Sequence, residues 1–161
     1  MRLRQARGEG ELDRVRALFV DYEQELGVDL RFQDFEAELA SLPGRYAPPA
    51  GGLLLAWEGD QAVGVVGMRS IDQGRCEMKR LYVSPAWRGQ GIGRELSEAV
   101  VSEARRAGYL AMRLDTLGRL GEALALYRSM GFREIPPYRE NPLEDAVFLE
   151  LEFGGTEKSR G

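Results

Sequence analysis

A glycine-rich loop is the segment of this sequence whose residue types and spacing point most directly to chemistry. It reads Arg88-Gly89-Gln90-Gly91-Ile92-Gly93-Arg94, and it lies between a predicted strand and a predicted helix. Glycines let a backbone approach an anion closely, and the free N–H groups and dipole of a helix N-terminus favour negative charge. The loop therefore predicts a phosphate site to which both arginines add positive charge; a tight turn without a ligand is the alternative.

Two common classes of phosphate loop fit these residues poorly. A P-loop NTPase requires Gly-Lys followed by Ser or Thr, whereas this loop continues as Gly93-Arg94-Glu95. A dinucleotide-binding loop requires Gly-x-Gly-x-x-Gly, and here Arg94 stands where the third glycine belongs. Both classes lack a residue that their chemistry needs.

Composition favours a single globular domain. The chain has 161 residues, 43% of them hydrophobic and 30% charged. Its net charge of -4 argues against nucleic acid as a partner, since nucleic-acid binders carry a basic face. No signal peptide or membrane-spanning stretch is found in the sequence, so a cytoplasmic protein without a membrane partner is expected. We expect the domain to cover residues 1–153 and a polar, disordered tail to cover 154–161.

The side chains available for acid–base chemistry are restricted. The sequence contains no histidine and a single cysteine, Cys76, so a disulfide framework within the chain and a cysteine-rich zinc site are excluded. Proton transfer must use Glu, Asp, Tyr, Lys, Cys or water. A structural role is favoured for Cys76 because no histidine is present to activate its thiol.

Hydrophobic periodicity and turn residues predict a mixed sheet with helices on both faces. The predicted order is strand, two helices, three strands, helix, strand, helix, two strands. The predicted strands are 1–6, 53–58, 62–68, 77–83, 110–115, 132–135 and 146–153, and the predicted helices are 9–26, 32–42, 92–107 and 122–130. Hairpins followed by a strand–helix–strand crossover indicate an α/β (α+β) fold with about six to seven mostly antiparallel strands.

With these elements in place, the sequence resembles the GNAT superfamily of N-acetyltransferases. The loop at 88–93 matches that family's Arg/Gln-x-x-Gly-x-Gly/Ala signature, and the strand at 79–83 resembles its central strand. The segment 123–132 resembles the family's Ala-x-x-x-Tyr-x-x-x-Gly-Phe ending. The resemblance extends over about residues 1–153, with the elements in the same order.

This resemblance implies direct acetyl transfer from acetyl-CoA without a metal. Main-chain amides of the loop, 88–94, would hold the pyrophosphate. The segment Leu81-Tyr82-Val83 would carry the pantetheine arm, through the main chain of Leu81 and Val83. That strand would splay from the next one, leaving a gap for the thioester. One departure from the family is Leu120, which occupies a position where many members carry an asparagine that reaches the cofactor.

The resemblance assigns Tyr127 as the general acid that protonates the leaving thiolate, since a phenol has a pKa comparable to that of a thiol. The alternative is a packing tyrosine at the end of an apolar helix stripe. A carboxylate acting through ordered water is a common base in such enzymes. Asp115, at the end of its strand, is the weaker candidate for that role.

The stronger candidate for the base is Glu77. Strict alternation along the strand predicts that Glu77, Lys79, Leu81 and Val83 share one face. A carboxylate on a central strand is costly unless it is used or paired. The equally weighted alternative is an ion pair of Glu77 with Lys79 or Arg69.

The acceptor is expected to bind beside the first two helices and the segment after Phe132. A small-molecule primary amine is the expected acceptor. A protein N-terminus or lysine, and a non-catalytic acyl-CoA-binding module, stay open as alternatives. Arginines on this side would suit a carboxylate-bearing acceptor, but ordinary solvated arginines are the favoured explanation, and no substrate residue is assigned. The side chains concerned are Tyr22, Arg31, Arg45, Tyr46, Tyr138 and Arg139. Analogy with the family also suggests a homodimer.

Overall fold

The computed structural model describes residues 1–27 and 34–154, which form one seven-stranded sheet. The strands lie in the order β1-β2-β3-β4-β5-β7-β6, and all neighbours are antiparallel except β4 and β5. They are β1 Arg2–Gln5, β2 Gly52–Glu58, β3 Gln61–Ser70, β4 Arg75–Val83, β5 Ala111–Leu117, β6 Arg133–Ile135 and β7 Ala146–Glu152. The predicted mixed, mostly antiparallel sheet is confirmed. Arg31, Phe32 and residues 155–161 lie outside the described residues.

Helices cover both faces of the sheet, as predicted. Within the described residues they are α1 Gly8–Leu26, α2 Phe35–Ala40, α3 Ile92–Arg106 and α4 Gly121–Ser129. One core joins α1 and α2 to the sheet, and a second joins α3 and α4 to the opposite face. The predicted stripe of α3 is buried at Ile92, Leu96, Val100 and Ala104, and Ala99 is half-buried. No helix among these residues has the length and hydrophobicity needed to cross a bilayer.

An irregular register between β3 and β4 marks a bulge at Arg80. Val65 pairs with Tyr82, whereas Gly67 pairs with Lys79, so two steps along β3 match three steps along β4. Arg80 has φ +63°, a left-handed backbone conformation that residues other than glycine rarely adopt. A β-bulge of this kind inserts one residue and changes which side chains reach each face.

The side chain of Arg80 is fixed by contacts with α2. Its guanidinium donates two hydrogen bonds to Glu38, from Nη2 to Oε1 at 2.8 Å and from Nε to Oε2 at 3.2 Å. It also lies 5.0 Å from the ring centre of Phe35. A bidentate, buried pair of this kind helps to offset the strain of the left-handed backbone.

The bulge makes one sequence expectation wrong. Leu81 and Val83 pack against the core of α3 and α4, whereas Tyr82 belongs to the core of α1. Glu77 and Lys79, which precede the bulge, lie on the α1 face with Tyr82. Strict alternation fails because the inserted residue reverses the facing of every later side chain.

The parallel pairing of β4 with β5 is short. It joins Arg75 to Ala111, Cys76 to Met112 and Glu77 to Arg113, and it stops there. Beyond Glu77 the two strands separate, and the sheet opens between the second half of β4 and the second half of β5. The predicted splay ahead of the glycine loop is therefore present.

Candidate active site

A cleft of about 510 Å³ lies between the end of β4, the glycine loop and the start of α4. Eight of the ten residues predicted to contact the cofactor line it: Leu81, Tyr82, Val83, Arg88, Gly89, Gly91, Ile92 and Gly93. Gln90 and Arg94 are not part of its wall. Arg94 instead donates a hydrogen bond to Ser129 Oγ at 2.8 Å. The structure thus brings most of the predicted cofactor residues together.

The backbone of the loop requires glycine at two positions. Gly89 has φ +83° and Gly91 has φ +85°, and a Cβ added at either residue would meet no atom within 4 Å. Backbone conformation, rather than space, is therefore what demands glycine here. Gly91 is the N-cap of α3, a 15-residue helix, and the first N–H groups of that helix have no carbonyl partner four residues earlier. These groups and the helix dipole fit an anion.

Arg88 fixes the loop against its neighbours. Its Nε donates to the carbonyl oxygen of Val83 at 2.8 Å, and its Nη2 donates to Glu25 at 2.7 Å. The guanidinium carbon lies 5.4 Å from the ring centre of Tyr82. These contacts join the loop to both β4 and α1, which gives Arg88 a positioning role in the structure.

A smaller cavity of about 90 Å³, here called the chamber, lies where β4 and β5 separate. It shares wall residues with the cleft, namely Tyr22, Leu26, Leu81, Leu120 and Ala123. Leu120, the departure from the family's asparagine, therefore sits at the junction of the two cavities. Polar side chains of the chamber wall come from α1, β4, β5, α4 and the segment after β6, and they include Tyr22, Lys79, Asp115, Tyr127 and Asn141.

Tyr127 reaches the chamber from the α4 face of the sheet. Its ring is buried and lies 5.8 Å from the ring of Phe132, centre to centre. Burial raises the pKa of the Tyr127 phenol above its usual range, so the hydroxyl keeps its proton at neutral pH. The residue therefore packs in the core and also lines the chamber, and its role as general acid stays a prediction.

Glu77 is fully buried and held by several partners. It accepts a hydrogen bond from Arg69 Nε at 3.1 Å and from the Tyr138 hydroxyl at 2.7 Å, and it forms an ion pair with Arg139. Burial opposes its ionisation, but Lys79, Arg139 and Tyr138 outweigh that effect and lower the pKa of Glu77 to about 2. Glu77 lines neither cavity. The predicted ion pair with Arg69 is present.

Replacing Glu77 by Gln is expected to lower the free energy of unfolding more at neutral pH than at acidic pH. The folded-state pKa of Glu77 is about 2 against an ordinary 4.5, so its contribution is complete above pH 4.5 and disappears as the pH falls toward 2. Glu77→Gln should therefore lower the free energy of unfolding by roughly 2–4 kcal/mol at pH 7 and by less at pH 3. Urea unfolding at both pH values measures this, with the exposed Glu134→Gln as control. An equal loss of the free energy of unfolding at both pH values would contradict a lowered pKa for Glu77 in the folded state.

The polar wall of the chamber contains groups that sequence reasoning underrated. Lys79 Nζ lies 4.0 Å from Asp115 Oδ1, and both side chains are buried. Asn141 Nδ2 donates to Asp115 Oδ2 at 3.2 Å. Asn141 follows two prolines in a stretch without periodicity, so no sequence signal identifies it. For Lys79 the sequence did contain one indication of a special role, because lysine is rare in this chain.

Most of the residues expected beside the acceptor lie away from the chamber in the described part of the chain. Tyr22 lines the chamber, whereas Tyr138 and Arg139 contact Glu77 instead. Tyr46 donates its hydroxyl to Glu38, and Arg45 donates to the carbonyl oxygen of Ser70. Only one of these residues thus belongs to the chamber wall within the described part of the chain.

Cys76 lies on the opposite face from Glu77, in the core under α3. Its Sγ is 3.7 Å from the carbonyl oxygen of Ala111, and burial raises the pKa of the thiol to about 12. A thiol in this state is a poor nucleophile, which agrees with its expected structural role. Among residues 1–27 and 34–154, no three His, Cys, Asp or Glu side chains cluster as a metal site would require.

A splayed mixed sheet, a glycine loop at a helix N-terminus and a chamber between them define the class of acyl-CoA-dependent N-acyltransferases. The sequence model of the family described as acetyltransferase (GNAT) domain matches residues 49–134. An uncharacterised N-acetyltransferase of Schizosaccharomyces pombe is 41% identical over 145 residues, which cover 89% of each chain. The chain belongs to the GNAT acetyltransferase family.

Solved structures agree with this assignment. A GNAT-family acetyltransferase from Staphylococcus aureus matches 94% of this chain and 98% of its own with a TM-score of 0.78 at 19% identity, which shows the fold. A GNAT acetyltransferase from Elizabethkingia anophelis with acetyl-CoA bound matches 64% of this chain and 76% of its own, with a TM-score of 0.56 at 25% identity. The cleft and its loop fit acetyl-CoA as the co-substrate of this enzyme.

Proposed function

We propose that this enzyme transfers an acetyl group from acetyl-CoA directly to the primary amine of a small molecule. The observation that carries the proposal is the small chamber at the inner end of the cleft. Side chains from α1, from the end of β5 and from the segment after β6 line it, including Leu26, Leu117 and Leu143. A peptide acceptor needs an extended groove or an open sheet edge. A cavity of about 90 Å³ suits the amine of a small molecule better than an extended peptide.

The roles of the protein in this reaction follow from the two cavities. Acetyl-CoA, when bound, supplies an acyl group that is already activated as a thioester. The N–H groups at the start of α3 suit its pyrophosphate, and the main chain of β4 at Leu81 and Val83, beyond the last pairing with β5, suits its pantetheine arm. Tyr127 holds a proton at Oη beside the chamber and gives it to the sulfur as the thiolate leaves. The leucines of the wall, which include Leu81, Leu117 and Leu120, limit access of water to the reacting atoms.

A thiol-release assay with acetyl-CoA tests the acceptor class. The acceptor panel contains small primary amines, amino acids, polyamines, peptides with a free N-terminus and peptides with an internal lysine. We expect kcat/KM for the best small amine to exceed that for any peptide by at least about tenfold, with the acetylated product identified by mass. A peptide turned over faster than every small amine would support a protein acceptor. Binding of acetyl-CoA without turnover of any amine would indicate a binding module.

A further inference from the structure

Lysine is rare in this chain, and its placement is informative. Of the 22 basic residues, only Lys79 and Lys158 are lysines, and the rest are arginines. The two residue types differ chemically, because the arginine guanidinium stays protonated in proteins whereas a buried lysine can lose its proton. A position in a buried chamber that uses lysine, in a chain that otherwise uses arginine, is therefore a candidate for proton transfer.

The location of Lys79 suits that chemistry. It precedes the bulge on β4, so it enters the chamber from the α1 face of the sheet, while Tyr127 enters from the α4 face. Its side chain is 3% exposed, and Asp115 Oδ1 lies 4.0 Å from its Nζ. A proton acceptor and a proton donor thus meet in one cavity of about 90 Å³, from opposite sides of the splay.

The electrostatic surroundings act on the charge of Lys79 in both directions. Burial lowers the pKa of Lys79 most, the guanidiniums of Arg80 and Arg69 also lower it, and the carboxylates of Glu77 and Asp115 raise it, with a net pKa of about 8. A substantial fraction of the side chain is therefore neutral near pH 8, where a general base is most effective. The described ionisable groups around the residue come from α1, α2, β3, β4, β5 and α4: Tyr22, Glu38, Arg69, Glu77, Arg80, Asp115 and Tyr127.

We propose that Lys79, in its neutral form, is the general base that takes the proton from the acceptor nitrogen. The proposal rests on the proposed function. As the nitrogen bonds to the carbonyl carbon, the carbon–sulfur bond breaks and its electron pair stays on sulfur. Lys79 Nζ takes one proton from the nitrogen, and Tyr127 Oη gives one to the sulfur. The lysine ammonium then returns its proton to the phenolate through solvent, which restores both residues.

The carboxylates near the splay fit this role less well. Glu77 lines neither cavity, and three partners hold it ionised with a pKa of about 2, which makes it a weak proton acceptor. Asp115 Oδ2 already accepts a hydrogen bond from Asn141. Both are placed to act on Lys79 through their charge, as positioning residues.

The ionisation of Lys79 can be measured in the wild-type enzyme. Protein labelled with ¹³C at lysine Cε gives two lysine signals, from Lys79 and Lys158, and each is followed by NMR between pH 5 and 11. We expect one signal with a midpoint near pH 8, absent from Lys79→Arg and present in Lys158→Arg. A Lys79 signal that titrates at the ordinary lysine value of about 10.4 overturns the proposal. This titration decides the question even where a variant does not fold.

Kinetics of matched variants test the base directly. Lys79→Met removes the amine with similar length, and Lys79→Arg keeps the charge but cannot accept a proton. We expect both to lose kcat by roughly 10²–10⁴-fold, while the rise in Tm on adding acetyl-CoA is unchanged and Lys158→Arg behaves as wild type. Wild-type kcat in Lys79→Arg overturns the base assignment and leaves the proposed function standing. A wild-type enzyme that acetylates no small amine instead refutes the proposed function, whatever the lysine titration shows.

Discussion

Tyr127→Phe is expected to lower kcat by roughly 100-fold or more, because it removes the hydroxyl that we propose protonates the leaving sulfur and keeps the buried ring. Packing against Phe132 is preserved, so Tm should change little. Since burial raises the pKa of this phenol above its usual range, the wild-type pH profile should show no limb from Tyr127 below pH 10. Steady-state kinetics and thermal unfolding on the same preparations measure both effects.

A matched control separates the loss of this hydroxyl from a general tyrosine effect. Tyr109 donates its hydroxyl to the carbonyl oxygen of Ala50 and lines neither the cleft nor the chamber. Tyr109→Phe should therefore turn over at the wild-type rate. If Tyr127→Phe also turned over at that rate, Tyr127 would be a packing residue and solvent would protonate the thiolate.

Gly91→Glu should abolish acetyl-CoA binding, measured as loss of the rise in Tm that the ligand causes. The substitution places a side chain at φ +85°, where glycine is favoured, and adds a negative charge at the N-terminus of α3. A diphosphate would then meet repulsion where it otherwise meets N–H donors. We expect the apparent Kd to rise by at least about 100-fold, since close unpaired charges of like sign cost several kcal/mol.

The control for this change is Gly59→Glu, in the turn between β2 and β3. Gly59 also has a positive φ, +60°, and also has no atom within 4 Å of an added Cβ. The variant therefore carries similar backbone strain and the same charge, away from the cleft. Its acetyl-CoA affinity should match that of the wild type. A Gly91→Glu protein that binds as tightly as Gly59→Glu would refute the assignment of the loop to phosphate.

The cofactor side of the site was predictable because its signal is local. The glycines, the preceding strand and the helix that follows are contiguous in sequence. Gly89 and Gly91 have positive φ values, and a glycine in the sequence is the usual sign of such a conformation. Element order followed from periodicity and turn residues, and observed bounds differ from predicted ones mainly at strand and helix ends. Residue types and their local spacing were therefore sufficient to predict the cofactor side of the site and the order of the elements.

The acceptor side was less predictable because its contacts are long-range. Tyr138 and Arg139 meet Glu77 across some sixty residues of sequence, and Asn141 meets Asp115 across 26. No periodicity or turn motif indicates such pairings. The bulge was equally hidden, since Arg80 adopts a left-handed backbone without a glycine to signal it. A carboxylate was therefore preferred as base on sequence grounds, and the structure shows it tied to two arginines and a tyrosine.

The bulge at Arg80 also sets the substitution tolerance of the central strand. Upstream of it, the even-numbered positions Cys76 and Met78 face the α3 core and should accept only apolar residues of similar volume. Downstream of it the constraint passes to the odd-numbered positions Leu81 and Val83. Deleting Arg80 would make the pairing with β3 regular and would leave Leu81 and Val83 on the α3 face, but it would also remove the buried ion pair with Glu38. The apolar positions of this one strand therefore change from even to odd residue numbers at Arg80, and the effect of a substitution depends on which side of Arg80 it lies.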